Sequence, residues 1–189
     1  MSTREGMPGL RPSSIVALIA LLALGGCAGA GARTVRESPN LGRVATPAEI
    51  AGWDISISPD GAGLPAGRGT SARGAVVYEQ RCQSCHGEKG AGQPNDRLVG
   101  GHGTLASPRP VKTIGSYWLY ATTVFDYVRR AMPYTQSQSL SNDDVYAVTA
   151  YLLHLNGVIG GSDVMDAQTL PKVKMPNRDN FIVVYPPKP

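Results

Sequence analysis

The chain has 189 residues, a formal net charge of +4, 42% hydrophobic but only 6% aromatic residues, 23 glycines and 15 prolines. So weak and scattered a basic balance speaks against nucleic acid as a partner. So much Gly and Pro predicts one small core with long irregular arms rather than a uniform fold. There are three cysteines, and two of them lie one helical turn apart, which argues against a structural disulfide framework.

Residues 1–26 read as a leader. Arg4 and Arg11 precede the apolar run "IVALIALLAL", which is too short to span a bilayer as a helix but suits a signal-peptide core. The run ends in "LGGC", which resembles the lipobox of bacterial lipoproteins. On that reading Cys27 becomes the lipid-modified first residue and its acyl chains tether the protein to a membrane. The competing reading is ordinary signal cleavage near "AGAGA". Loss of the leader removes Arg4, Arg11 and Glu5, so the mature charge stays weakly positive.

Residues 27–70 form a linker and a Gly/Pro-rich arm. Within it "TPAEIAGWDIS" suggests a short helical turn anchored by Trp53, and "SPDGAGLPAGRG" a loop. Three helices follow. The first runs from about Ser71 into Cys82, with Ala75, Val77 and Tyr78 as core candidates. The second spans about 116–132, with Trp118, Ala121, Phe125 and Val128 at helical spacing. The third opens at "SNDD", where Ser141 caps and Asp143 and Asp144 suit the positive helix end. It carries the stripe Val145, Val148, Leu152 and Leu155 and stops at Asn156-Gly157. A Gly/Pro-rich loop, residues 87–115, separates the first two helices. The segment 71–157 is the expected domain and 158–189 an extended tail, more apolar than a free tail, in which "FIVVY" is the best strand signal.

Cys82, Cys85 and His86 stand in C-x-x-C-H order, the attachment signature of c-type haem. Residues at i, i+3 and i+4 share one helix face. Two thiols there can reach the two vinyl groups while the imidazole meets the iron from the same side. A closed zinc site needs four ligands and would have to recruit His102 and His154 from separate segments. A redox C-x-x-C pair expects a βαβ context that is missing. One covalent haem c also supplies apolar volume to a domain of roughly 85 residues that is marginal alone. For the second axial ligand, Met132 closes the second helix and is followed by Pro133, which turns the chain out of the helix. Met175, also followed by proline, is the weaker alternative. His102, His154 and Met165 stand behind these, and the bland reading of any single Met is core filler.

The order helix, C-x-x-C-H, loop, helix, Met-Pro and capped final helix "AYLLHLN" resembles class I cytochrome c over residues 71–157. The resemblance implies an all-α class I cytochrome c fold with irregular N- and C-terminal extensions. It also implies that Gly74, Tyr78 and Tyr151 form the crossing of first and last helices, and that the Pro94 carbonyl orients His86. The strings "TPAEIAGWDI", "PDGAGLPAGRG", "TIGSYW", "YATTVFDYVRRAMP", "VYAVTAYLL" and "KMPNRDNF" resemble the cytochrome c subunits of sulfite and sulfane dehydrogenases. Two features depart from that group: Leu119 stands where Pro is expected, and the lipobox is not typical of it. The resemblance implies single-electron transfer from a molybdopterin-dependent dehydrogenase subunit to a downstream cytochrome c or oxidase. With the lipobox at Cys27, the expected location is the periplasmic side, lipid-anchored to a bacterial membrane, or alternatively soluble in the periplasm. The rival functions are a free-standing lipid-anchored shuttle to a terminal oxidase and a haem sensor or enzyme with an open iron site.

Overall fold

The computed structural model describes residues 41–182 and Val184. The leader, the lipobox and Cys27 lie outside the described residues. The described residues from Thr46 onward belong to one compact unit, and the fold below is that of this unit. Its elements are α1 (Pro47–Trp53), β1 (Arg68–Thr70), α2 (Ser71–Arg81), α3 (Gln83–His86), α4 (Ala121–Ala131), α5 (Asn142–Leu155) and β2 (Val164–Asp166). Short 3-10 turns lie at Glu88–Gly90, Tyr134–Gln136 and Leu170–Lys172. Among the described residues no helix is long and apolar enough to cross a membrane.

The frame is the crossing of α2 and α5. Both helices start on side-chain caps: Thr70 Oγ1 accepts from Arg73 N at 3.3 Å and Ser141 Oγ from Asp144 N at 3.2 Å. They touch at Gly74, where an added Cβ would strike the Ala147 carbonyl and the Tyr151 side chain. Glycine is required there by close approach alone. One turn later Tyr78 packs on Tyr151, ring centroids 5.4 Å apart. α4 closes the other side of α5 through Phe125 on Tyr146 at 4.4 Å. Tyr78, Phe125, Val124, Val128, Tyr146 and Leu153 are thereby buried in one cluster.

The arms belong to this core. β1 and β2 pair antiparallel, with Gly69 opposite Met165, and a Cβ at Gly69 would collide with the backbone of Ala147. Met165, Leu170 and Met175 of the tail are 5%, 0% and 1% exposed. The N-terminal arm is stapled by hydroxyls: Thr122 Oγ1 donates to the Pro59 carbonyl at 3.1 Å and Tyr146 Oη to the Pro65 carbonyl at 2.9 Å. Burial of that phenol, above all, pushes its pKa up to about 12.

Three local expectations change. α4 begins at Ala121, five residues later than its periodicity predicts, because Thr113 and Ser116 bond each other's backbone N–H groups and hold the preceding segment in turns. Trp53 does not anchor α1; it is 88% exposed. The described residues of "FIVVY" form no strand, and the two strands among the described residues arise elsewhere, three residues each.

Candidate functional site

The signature residues occupy one turn. α2 ends with the Cys82 N–H bonded to the Tyr78 carbonyl, and α3 restarts at once, so that Cys85 N and His86 N both bond the Cys82 carbonyl at 3.1 and 3.0 Å. Cys82 is half-buried against the core, Cys85 is exposed, and both are free thiols. Burial first, and then neighbouring Cys85, push the Cys82 thiol up to about 11. Gly87, at φ +74°, ends the turn; a Cβ there would meet the Gly92 carbonyl.

The loop after His86 is bound tightly back onto it. Gly92 N donates to the His86 carbonyl and Asn95 N to the Cys85 carbonyl, each at 2.8 Å. Leu98 N bonds the Gly90 carbonyl at 2.9 Å, and Arg97 Nε reaches the Ala91 carbonyl at 3.1 Å. This folding brings the Asp96 carbonyl 2.9 Å from His86 Nδ1. The orienting carbonyl is therefore that of Asp96 and not of Pro94, which sits at the preceding turn after a cis peptide. Nδ1–H donating to a carbonyl fixes the tautomer and leaves Nε2 as the free lone pair. Nε2 has no hydrogen-bond partner among the described residues. From α2, Tyr78 Oη donates to the Gly87 carbonyl at 2.9 Å. Burial, the main cause, raises the Tyr78 pKa to about 12.

Met132 is the C-cap of α4: its N–H bonds the Val128 carbonyl at 3.0 Å, its backbone is already extended, and the Met132–Pro133 peptide is cis. Its side chain is half-buried against the core cluster that Cys82 also borders. Leu98, Trp118, Leu140, Tyr151, Val158 and Ile159 border the same cluster and are likewise only partly covered. Met175 lies in the tail, fully buried in the same core cluster as Leu170. His102 and His154 are exposed, and among the described residues no cluster of His, Cys, Asp and Glu suits a metal ion. Arg130 is paired with Asp126 at 2.9 Å one turn back on α4.

These residues fit a covalent haem: two free thiols and one oriented imidazole on a single turn, with half-covered apolar side chains bordering the same core. Sequence reasoning missed the Asp96 carbonyl, whose position depends on the loop's folding, and the clamp of the tail on residues 117–120. There Asn177 Nδ2 donates to the Tyr117 carbonyl at 3.0 Å and Arg178 stacks over Tyr120 at 4.1 Å.

Fold and site define a c-type cytochrome. The cytochrome c family model matches residues 71–156, and the chain belongs to the cytochrome c family, which implies covalently bound haem c and electron transfer. A solved chain from the sulfane dehydrogenase SoxCD of Paracoccus pantotrophus is 46% identical. The match covers 77% of this chain and 72% of that one at a TM-score of 0.73. A match of that extent reaches beyond the span of the family model into the arms. A thiosulfate dehydrogenase from Psychrobacter arcticus is 26% identical over 105 residues, 53% of this chain. The chain spans about a third, 32%, of that relative's length.

Proposed function

We propose that this protein is the monohaem electron-transfer subunit of a sulfur-oxidising dehydrogenase. It takes single electrons from a molybdopterin-dependent catalytic subunit and passes them to a downstream cytochrome c or oxidase. The observation that carries this reading is the turn of residues 82–86, with His86 Nδ1 held by the Asp96 carbonyl and Nε2 left free. The likeness to a SoxCD chain, extending into the arms, supports the choice of partner.

In this reading Cys82 and Cys85 would hold the porphyrin through thioethers, and His86 Nε2 and Met132 Sδ would ligate its iron. The sequence's single C-x-x-C-H supports a count of one haem. Haem c ligated by His and Met supplies reversible one-electron iron chemistry at a raised potential and has no open position for a substrate. The chain's own part is to orient the imidazole, exclude water with its apolar side chains and present a docking surface. Cys27 anchors the mature chain to a membrane on the periplasmic side.

Purification of the native protein tests this directly. A haem stain that survives a denaturing gel, together with stoichiometric molybdenum in the co-purifying subunit, is the expected result. A haem protein that comes alone and is not reduced by any molybdenum enzyme of its host would sink the dehydrogenase reading. Rapid carbon monoxide binding by the reduced protein would remove Met132 as a ligand.

A further inference from the structure

The sequence marks Asn156 only as the residue where α5 stops. In the structure it is the C-cap of α5 and 6% exposed, and both polar atoms of its side chain are bonded. Nδ2 donates to the Leu152 carbonyl at 2.8 Å, one turn back on its own helix, and to the Leu98 carbonyl at 3.2 Å. Oδ1 accepts from Gly100 N at 3.0 Å. One amide thus pairs with the carbonyl and the N–H on either side of Val99, as a residue of a neighbouring strand would.

The junction is shaped around this contact. A Cβ at Gly115 would strike the Asn156 amide, so glycine there makes room for it. Ile114 N also bonds the Leu98 carbonyl, at 3.2 Å, and Thr113 Oγ1 donates to the Gly100 carbonyl. Polar groups so well covered are costly to leave without partners, which makes the junction a firm one.

What it holds is the loop that orients His86. Leu98 N and Val99 N both bond the Gly90 carbonyl and close residues 90–98 into an arc. Asp96, whose carbonyl lies 2.9 Å from His86 Nδ1, stands on that arc two residues before Leu98. Asn95 N on the Cys85 carbonyl ties the arc to the signature turn. The Asn156 amide ties it to α5, 58 residues from Leu98 in sequence. α5 in turn is seated on α2, which leads into the signature turn, at the Gly74 crossing.

We infer that Asn156 is a positioning residue: its amide sets the Asp96 carbonyl against His86 Nδ1–H, and through that bond it tunes the reduction potential of the haem iron. This rests on the reading of His86 as an axial ligand. A carbonyl that accepts from Nδ1–H makes the imidazole a stronger donor to iron. A stronger donor favours Fe(III) and lowers the potential. Loosening the junction should therefore raise the potential, whereas entry of water into the site alone should lower it.

The test uses the full-length holoprotein, its Asn156→Ala and Gly115→Ala variants, and the two combined. Gly115→Ala removes no partner and only displaces the amide. Potentiometric titration should place both single variants above the parent. The His86 Nδ1 proton, followed by NMR, should exchange with solvent about 10-fold faster in them, as for loss of a buried hydrogen bond. An alanine at 115 finds space once the amide is gone, so the combined variant should match Asn156→Ala. Thr122→Val, which removes the bond to the Pro59 carbonyl, controls for lost stability: it should lower the thermal midpoint and leave potential and exchange unchanged. Unchanged or lowered potentials in the haem-bearing variants overturn the inference, as does an equal rise in Thr122→Val. Where one variant takes up no haem, the other decides. The parent alone also decides, because one opening should release both groups: a His86 Nδ1 proton that exchanges freely while Gly100 N–H stays protected overturns the coupling. A parent in which His86 shows no iron-shifted resonances overturns the ligand reading itself, and the inference with it.

Discussion

The His86 side of the site and the Met132 side are built in opposite ways. Around His86 the chain bonds to itself at short range: Asp96, Asn95, Gly92 and Tyr78 each supply or receive a hydrogen bond that fixes the turn or its neighbours. Met132 is held by a single backbone bond to Val128 and by packing, at the point where a helix gives out. One side is specified by a local covalent motif and a loop wound onto it. The other depends on where α4 ends relative to the core. Attachment chemistry needs the first kind of precision; a thioether ligand, long and flexible, tolerates the second.

The contrast yields a graded series of effects. Replacing His86 with Ala should be the most severe: haem incorporation is lost, and far-UV circular dichroism shows a poorly folded chain, since the domain is marginal without the group. Normal haem content in that variant would show that the two thiols alone suffice. Met132→Ala should leave haem stain and fold intact while lowering the reduction potential by on the order of 100 mV, within the ~0.8 V that axial ligands span. The reduced variant should then bind carbon monoxide rapidly. An unchanged potential would transfer the second ligand to another residue, and Met175→Leu would then be the next variant to titrate.

Gly74→Val probes what both sides share. Its side chain would meet the Ala147 carbonyl at the helix crossing, and overpacking of this kind costs about 3 kcal/mol, readable in denaturant midpoints of the holoprotein. Loss well below 1 kcal/mol would mean the crossing yields easily. Tyr78→Phe should be the mildest. It removes one bond to the Gly87 carbonyl, worth about 1 kcal/mol, and should change the potential less than Met132→Ala does. It also carries a pH signature. The folded Tyr78 pKa is raised from 10.0 to about 12, so its contribution is complete below pH 10 and is lost as pH rises through 12. Alkaline melts of the Phe variant should show a shallower loss over that window, with Tyr146 and Tyr151, both also raised by burial first, contributing to the remainder.

Much of the site was legible because it is local. C-x-x-C-H needs only one helical turn to bring its three side chains together, and Ser141 with Asp143 and Asp144 announces the start of α5 within four residues. The orienting carbonyl was misplaced by two residues, from Asp96 to Pro94, because a carbonyl has no side-chain signal and its position follows from how a Gly-rich loop folds back. The β1–β2 pair escaped notice for a related reason: it joins residues 68–70 to 164–166, and neither triplet has a strand pattern of its own. Trp53 misled in the opposite sense, since a large aromatic in an arm suggests an anchor to the same chain, and this one faces out.

The sequence by itself determined the cofactor chemistry and the three central helices. Both follow from the spacing of a few residues along one or two turns, where covalent geometry leaves little choice. Only the tertiary structure decided that Asp96 holds His86, that Met165, Leu170 and Met175 of the tail enter the core, that the 57–67 stem packs against it through Ile57 and Leu64, and that α1 buries no residue. The first outcome depends on how a Gly-rich loop folds back over ten residues; the others depend on which apolar surfaces meet across separations of fifty residues or more, and on whether a hydrophobic side chain finds its cover within the chain.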